Sequence, residues 1–369
     1  ITSLLKMNPF LRTAINAVIT VGYILTMFFG MGFAYFGHNW AFHGVYIFGL
    51  SLIFLAGVLL VIALWPWQKE YYQTDKAYAH TKKGVDIERV AFFATALTTV
   101  ISALFGAIPG SFFGNGFEVF LAENIIRIPE KTTMEYSVIG HLHIMLALIA
   151  IMITLIIGRW LNFKGILHKI AMPLMILGTL VLNLGVWGVA TPLEPIAHMV
   201  IYTGATPSML AALLLLIWSW AKLIREGTAH IQKPTFGQKL GALVRDPLKF
   251  GPTWQMLYMN FTTSFLGIFM AIRLDEIFRV WPAREERIEL TGHWHALSAI
   301  IATIILLYYG NVIGLKGKVR QFYGWGILIF SNLALAGVTI FEMKRLLITE
   351  AEQQPLVNGL MYAIDIGLG

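Results

Sequence analysis

The sequence predicts an all-α polytopic membrane protein of about nine transmembrane helices, a tandem parallel duplication of a four-helix unit behind one N-terminal helix. Three observations predict it. Of 369 residues, 57% are hydrophobic and 13% charged. The apolar runs recur at about 20 residues, the length that crosses a bilayer. Two long stretches, beginning at residues 140 and 292, read almost alike.

The apolar runs predict spans at roughly 12–36, 44–66, 90–113, 139–161, 167–190, 198–223, 253–274, 294–315 and 321–344. The first run is too long for a signal peptide and lacks a small-residue cleavage site, so it reads as the first span. The organisation expected is an N-terminal helix over 1–37, a first four-helix unit over 38–190, a second over 191–345, and a tail over 346–369. "WPW" at 65–67 reads as an interfacial aromatic anchor. The tail ends in an apolar stretch too short to span, suited to docking on a partner subunit or to a disordered end.

Basic residues set the expected orientation. With nine spans, the N-terminus and the loops at 67–89, 159–169, 222–250 and 316–320 share a side, and these hold Lys69, Lys82, Lys83, Arg159, Lys222, Arg225, Lys239, Lys316, Lys318 and Arg320. By the positive-inside rule that side is cytoplasmic and the C-terminus lies on the outer, periplasmic side of a cell inner (plasma) membrane. Topology therefore accounts for the net charge of +7. No basic face with interleaved aromatics points to nucleic acid.

The chain has no cysteine. That excludes disulfides, thiolate-held iron–sulfur clusters and covalent C-x-x-C-H haem attachment, leaving His, Met or carboxylate to hold a redox centre.

The duplication is visible residue by residue. "GHLHIMLALIAIMITLIIGRWLNFKG" at 140–165 aligns without a gap on "GHWHALSAIIATIILLYYGNVIGLKG" at 292–317, an offset of 152. Residues 41–65 align on 196–220 at an offset of 155, matching His43 to His198, Gly49 to Gly204 and Trp65 to Trp220. "ALTTVISALFG" at 96–106 is set against "NFTTSFLGIFM" at 260–270, and Asn183 against Asn332. A four-helix unit crosses the membrane an even number of times, so the copies are parallel, unlike the inverted repeats of many secondary transporters.

Ten histidines are present. His80, His168 and His230 fall in the basic loops and are expected to be solvated or at lipid headgroups. His38, His43, His141, His143, His198, His293 and His295 are expected at or just before the first turns of spans 2, 4, 6 and 8, in one layer near the outer surface. An ionisable residue in a span marks a functional site by default. The H-x-H spacing constrains the chemistry: residues two apart on a helix point about 200° from each other, so one ion cannot easily be chelated by both. Each imidazole would instead face a separate flat cofactor. Haem suits this geometry, with neutral imidazole on iron and porphyrin filling the gap between helices; chlorophyll would also accept single imidazoles. Gly44, Gly140 and Gly292, next to the histidines, would leave room for a macrocycle edge.

The motifs "FHG" at 42–44 with "GHLH", and "AHM" at 197–199 with "GHWH", resemble the catalytic subunit of haem–copper oxidases and nitric oxide reductases. The resemblance implies that His43 with His143, and His198 with His295, each hold a low-spin haem b, and that His141 and His293 face a further site, either as the two caps of one shared haem or each on a separate five-coordinate haem. The family's adjacent His-His pair has no counterpart here, so the resemblance implies two or more haem b groups rather than gas reduction.

The expected function is a multi-haem b-type cytochrome, a subunit of a membrane redox complex in the bilayer that passes electrons between the quinone pool and an outer-face partner, a c-type cytochrome. Glu118, Glu123, Glu130 and Glu135 in one outer loop, and Asp275, Glu276, Glu285, Glu286 and Glu289 in its repeat, would accept quinol protons or meet a basic cytochrome. The first alternative is an oxygen- or nitric-oxide-reducing enzyme, for which His38, Glu135 and Tyr46 are the leftover helpers of a second metal. The second is a non-redox proton-coupled transporter, which predicts a polar path through the membrane, whereas the inner halves of spans 2, 4 and 8 are apolar.

Overall fold

The computed structural model describes all residues except 38, 76, 79–83, 113–132, 190, 192, 274–275, 278–279, 282, 350–352 and 369, and omits the side chains of 33–34, 108–112, 133–136, 138–139, 142–143, 194–195, 271 and 283–291. Among the described residues there are helices and no strand. In chain order the helices are α1 (Pro9–Phe36), α2 (Trp40–Ala63), α3 (Ile87–Phe112), α4 (Thr133–Trp160), α5 (Ile166–Val189), α6 (Glu194–Gly227), α7 (Phe236–Val244), α8 (Pro247–Leu257), α9 (Ser264–Ile272), α10 (Ala283–Val312), α11 (Gly317–Glu342), α12 (Lys344–Leu347) and α13 (Gln353–Leu368).

Among the described residues, seven helices are long and apolar enough to cross a membrane, in α1, α2, α3, α5, α6, α10 and α11. That is the build of a polytopic membrane protein. Two of the nine expected spans are not among them. The described apolar part of α4 is Ile144–Trp160, shorter than a span. The expected span at 253–274 is divided by a π-helical stretch at Tyr258–Thr263 between α8 and α9.

Local chemistry starts and stops these helices. Asn8 accepts from the backbone N–H of Phe10 at 2.9 Å, with Pro9 beginning α1, and Asn39 caps α2 through the Ala41 N–H at 2.8 Å. Asp86 caps α3 through the Arg89 N–H at 3.1 Å. The ends of α4 and α10 close alike. Phe163 N–H donates to Gly158 O at 2.9 Å and Asn162 N–H to Arg159 O at 3.1 Å; Leu315 N–H donates to Gly310 O at 3.2 Å and Gly314 N–H to Asn311 O at 3.1 Å. Asn162 and Gly314 occupy the left-handed region, at φ 64° and 74°, as this hydrogen-bonded helix stop requires.

The chain divides into two compact units, with the boundary inside α6 at Ala211 and Ala212. In the first, α2 packs on α1 and α3, α3 packs on α4 and α5, and α4 packs on α5. Small residues permit the closest crossings. A Cβ on Gly22 would stand 2.9 Å from the carbonyl oxygen of Gly49, and one on Gly185 would stand 2.7 Å from the backbone nitrogen of Ile201 on α6. In the second unit, α8, α10 and α11 pack together around Leu248, Phe250, Leu307 and Leu328, with Leu223 of α6. Arg320 closes the basic end of that unit, donating to both carboxylate oxygens of Asp246 at 2.9 and 2.8 Å.

The tail forms α13 and lies antiparallel on α11 of its own chain. A Cβ on Gly337 would meet the Ile364 side chain at 2.9 Å, and one on Gly367 would meet the Phe330 carbonyl oxygen at 2.5 Å.

Candidate functional site

Asn39 places His43 in the first turn of α2, where its ring stacks on Trp40 at 6.1 Å. The H-x-H histidines lie deeper in their helices than the apolar pattern suggests. His141 is eight residues inside α4, which begins at Thr133, and His293 is ten inside α10, which begins at Ala283; at 1.5 Å per residue those are about 12 and 15 Å. The polar stretch "AREERIELTG" consists mostly of strong helix formers, so α10 starts well before its apolar run does. His43, His141, His198 and His293 are half-buried and His295 is exposed. His38, His80, Lys82, Lys83, Glu118, Glu123, Glu130 and Asp275 lie outside the described residues, as do the side chains of His143, Glu135, Glu285, Glu286 and Glu289. Glu276 pairs with Arg273 on the surface. Among the described residues, no three His, Asp or Glu side chains converge into a metal-binding group.

His141 is the best-defined of the set. Its Nδ1 lies 2.8 Å from the backbone carbonyl oxygen of Ser102 on α3. A carbonyl can only accept, so Nδ1 carries the proton and Nε2 of the neutral ring keeps its lone pair. Metal-binding imidazoles are held in this way by a second-shell acceptor. Gly106, one turn beyond Ser102, makes the approach possible, since a Cβ there would overlap the His141 ring. A helical side chain covers the turn on its N-terminal side, and at position 106 that cover is missing.

His293 rests on a glycine too, but with a different ring edge. A Cβ on Gly267 would stand 2.7 Å from Nε2 and 2.9 Å from Cε1 of His293. The π-helical stretch Tyr258–Thr263 lies just ahead of this contact; such stretches are frequent at functional sites. Of the three glycines expected to make room for a macrocycle, only Gly44 faces open space, with nothing within 4 Å of its would-be Cβ. Gly140 is packed by Val186 of α5, and Gly292 by the Glu342 carboxylate of α11, with Oε1 3.0 Å from the would-be Cβ. These two serve close helix packing.

No family model, curated protein or solved structure matches this chain. Its functional residues are therefore argued from its own geometry.

His168 corrects an expectation. It was expected to be a solvated loop residue and is instead fully buried at the start of α5, its ring edge-on to Tyr78 and Phe163 at 5.3 Å each. Its Nε2 is 4.0 Å from Oε2 of Glu88, which accepts from Arg159 at 2.9 Å. Burial, with the Glu88 carboxylate nearby, pushes the Tyr78 phenol above its usual range, and its hydroxyl donates to Asn162 at 2.8 Å. Beside this cluster lies a cleft of about 170 Å³ lined by Lys6, Glu70, Tyr71, Gln73, Arg89 and Arg159. Arg89 is fixed there by the carbonyls of Lys6 and Ala63, at 2.7 and 2.6 Å, and by the Tyr71 ring. The signal for His168 was in the sequence: Ala171, Met172, Met175, Gly178, Thr179 and Leu182 follow it at helical spacing and are all buried. Glu342 was also missed; it is a buried carboxylate at the end of α11, next to Gly292.

Proposed function

We propose that this chain is a multi-haem b-type membrane cytochrome, a subunit of a redox complex that passes electrons between the quinone pool and a c-type cytochrome on the outer face. The observation that carries this reading is the His141 to Ser102 carbonyl bond at 2.8 Å, which engages Nδ1 and leaves Nε2 as the nitrogen that could take iron. When bound, haem supplies an iron that takes up and releases one electron at a time. The protein's part is to hold and orient. The His141 ring lies over Gly106, and His43, His143, His198 and His295 would supply the further haem ligands that the resemblance implies. An inner-membrane location with the N-terminus cytoplasmic and the histidine layer outside follows from the Lys and Arg distribution.

The tandem duplication belongs to this proposal. The identical helix stops at Asn162 and Gly314, 152 residues apart, support it, as do the first histidines of both H-x-H motifs, each seated on a glycine. The third-span alignment needs adjustment: Gly106 and Gly267 play the same part at an offset of 161, not the 164 of the sequence alignment.

The test is the optical spectrum of the purified, dithionite-reduced protein, with pyridine-haemochrome counting and metal analysis. Two or more haem b per chain are expected, and absence of b-type bands overturns the proposal. His143→Ala and His295→Ala should each remove one low-spin signal; loss of neither refutes the pairing. Copper or non-haem iron at one per chain would favour the gas-reducing alternative.

One observation favours proton-coupled transport as a second reading. Glu88, Thr95, Thr98 and Ser102 are buried at helical spacing along α3, and Thr179 and Asn183 are buried on α5, a polar column through the first unit. Haem-free protein that carries protons across proteoliposomes would establish this reading in place of the first.

A further inference from the structure

We propose that Ser102, Asn183 and Trp187 form a buried strut that holds the Ser102 backbone carbonyl in place and so positions the His141 imidazole that donates to it. The proposal deepens the reading of His141 as an iron ligand and rests on it for its redox consequence alone.

The hydrogen bonds of the strut run in a defined direction. Asn183 donates its amide N–H to the Thr179 carbonyl at 2.6 Å, so its Oδ1 turns towards α3. The Ser102 hydroxyl donates to that Oδ1 at 3.1 Å and accepts the indole N–H of Trp187 at 3.1 Å. Ser102 and Asn183 are fully buried, and Trp187 is stacked flat on Phe105 at 5.7 Å with 3° between the rings. Trp187 can only donate and a carbonyl can only accept, so reversing any bond would leave a buried polar atom unpaired. Residue 102 is thereby tied to α5 at two points. Its carbonyl, which accepts His141 Nδ1 at 2.8 Å, is held at a fixed height along α3.

Three helices meet at this point. α3 supplies the carbonyl and the gap at Gly106, α5 supplies the strut, and α4 supplies the imidazole. Without the strut, the Ser102 hydroxyl would turn back to its own helix, and α3 would lose its register on α5. Donation from His141 Nδ1–H would weaken. A weaker bond at Nδ1 makes Nε2 a poorer donor, which disfavours ferric iron and raises the midpoint potential.

The experiment uses the full chain with Ser102→Ala, Ser102→Thr and Asn183→Leu. The first readout needs no haem: ¹⁵N NMR of histidine-labelled protein should show His141 as the Nδ1–H tautomer in the wild type. A wild-type ring protonated at Nε2 overturns the proposal even if no variant folds. The second is potentiometry of the haem-loaded protein. Ser102→Ala and Asn183→Leu should each shift the ferric-to-ferrous affinity ratio of one haem about tenfold, ~59 mV upward, while Ser102→Thr, which keeps the hydroxyl, should stay at the wild-type potential. Unchanged potentials in both disruptive variants, with haem content intact, overturn the strut. An Nδ1–H tautomer in protein that binds no haem would leave the strut standing and refute the ligand reading.

Discussion

His141 Nδ1 and the Ser102 carbonyl oxygen, 2.8 Å apart, join α4 to α3 through a bond that only a glycine at position 106 allows. The bond decides which ring nitrogen keeps its lone pair. It also makes residue 106 the sensitive position of the site.

Gly106→Ala puts a methyl group into the His141 ring. Overpacking of this kind costs about 1–3 kcal/mol, and the ring must turn off the Ser102 carbonyl. Loss of one haem per chain by pyridine-haemochrome counting is expected, with a lowered melting temperature. Gly326→Ala on α11 is the control: nothing lies within 4 Å of the added carbon, and its stability should match the wild type.

At the opposite end of the same unit, Arg159 neutralises the buried Glu88. Removing the cation leaves a buried acid without its ion-pair and hydrogen-bond donor, so that it must take up a proton, whereas Glu88→Gln keeps a polar partner for Arg159. Arg159→Ala should destabilise by about 3 kcal/mol and Glu88→Gln by clearly less. Thermal unfolding of the two variants in detergent checks the order, and equal losses would contradict the pairing.

The tail makes a third case. Gly367 has the Phe330 carbonyl and Ala334 against it, both within 2.6 Å of a would-be Cβ. Gly367→Leu should undock α13 and cost about 1–3 kcal/mol of local stability. Limited proteolysis should then trim the chain after α12 much faster than in the wild type, leaving the rest of the protein intact.

Much of the fold was legible because membrane spans announce themselves by length and hydropathy. α1, α2, α3, α5, α6, α10 and α11 coincide with apolar runs visible in the sequence. Within the expected span at 253–274, the sequence gives no sign that the Tyr258–Thr263 backbone adopts π-helical hydrogen bonding. The extent of the helices that carry the H-x-H motifs was not legible, since α4 and α10 begin in polar sequence where hydropathy carries no signal.

By itself, then, the sequence determined a multi-helix membrane build, the absence of any cysteine chemistry, and the recurrence of one histidine pattern at a fixed offset. Those properties depend on composition and on neighbours in the chain. Only the tertiary structure decided that His141 meets a carbonyl 39 residues earlier, that Glu88 is the acid beside His168, and that α13 lies on α11. Each depends on which faces of distant helices come together, and the atoms exposed or covered at those contacts are set by packing, which no local pattern encodes.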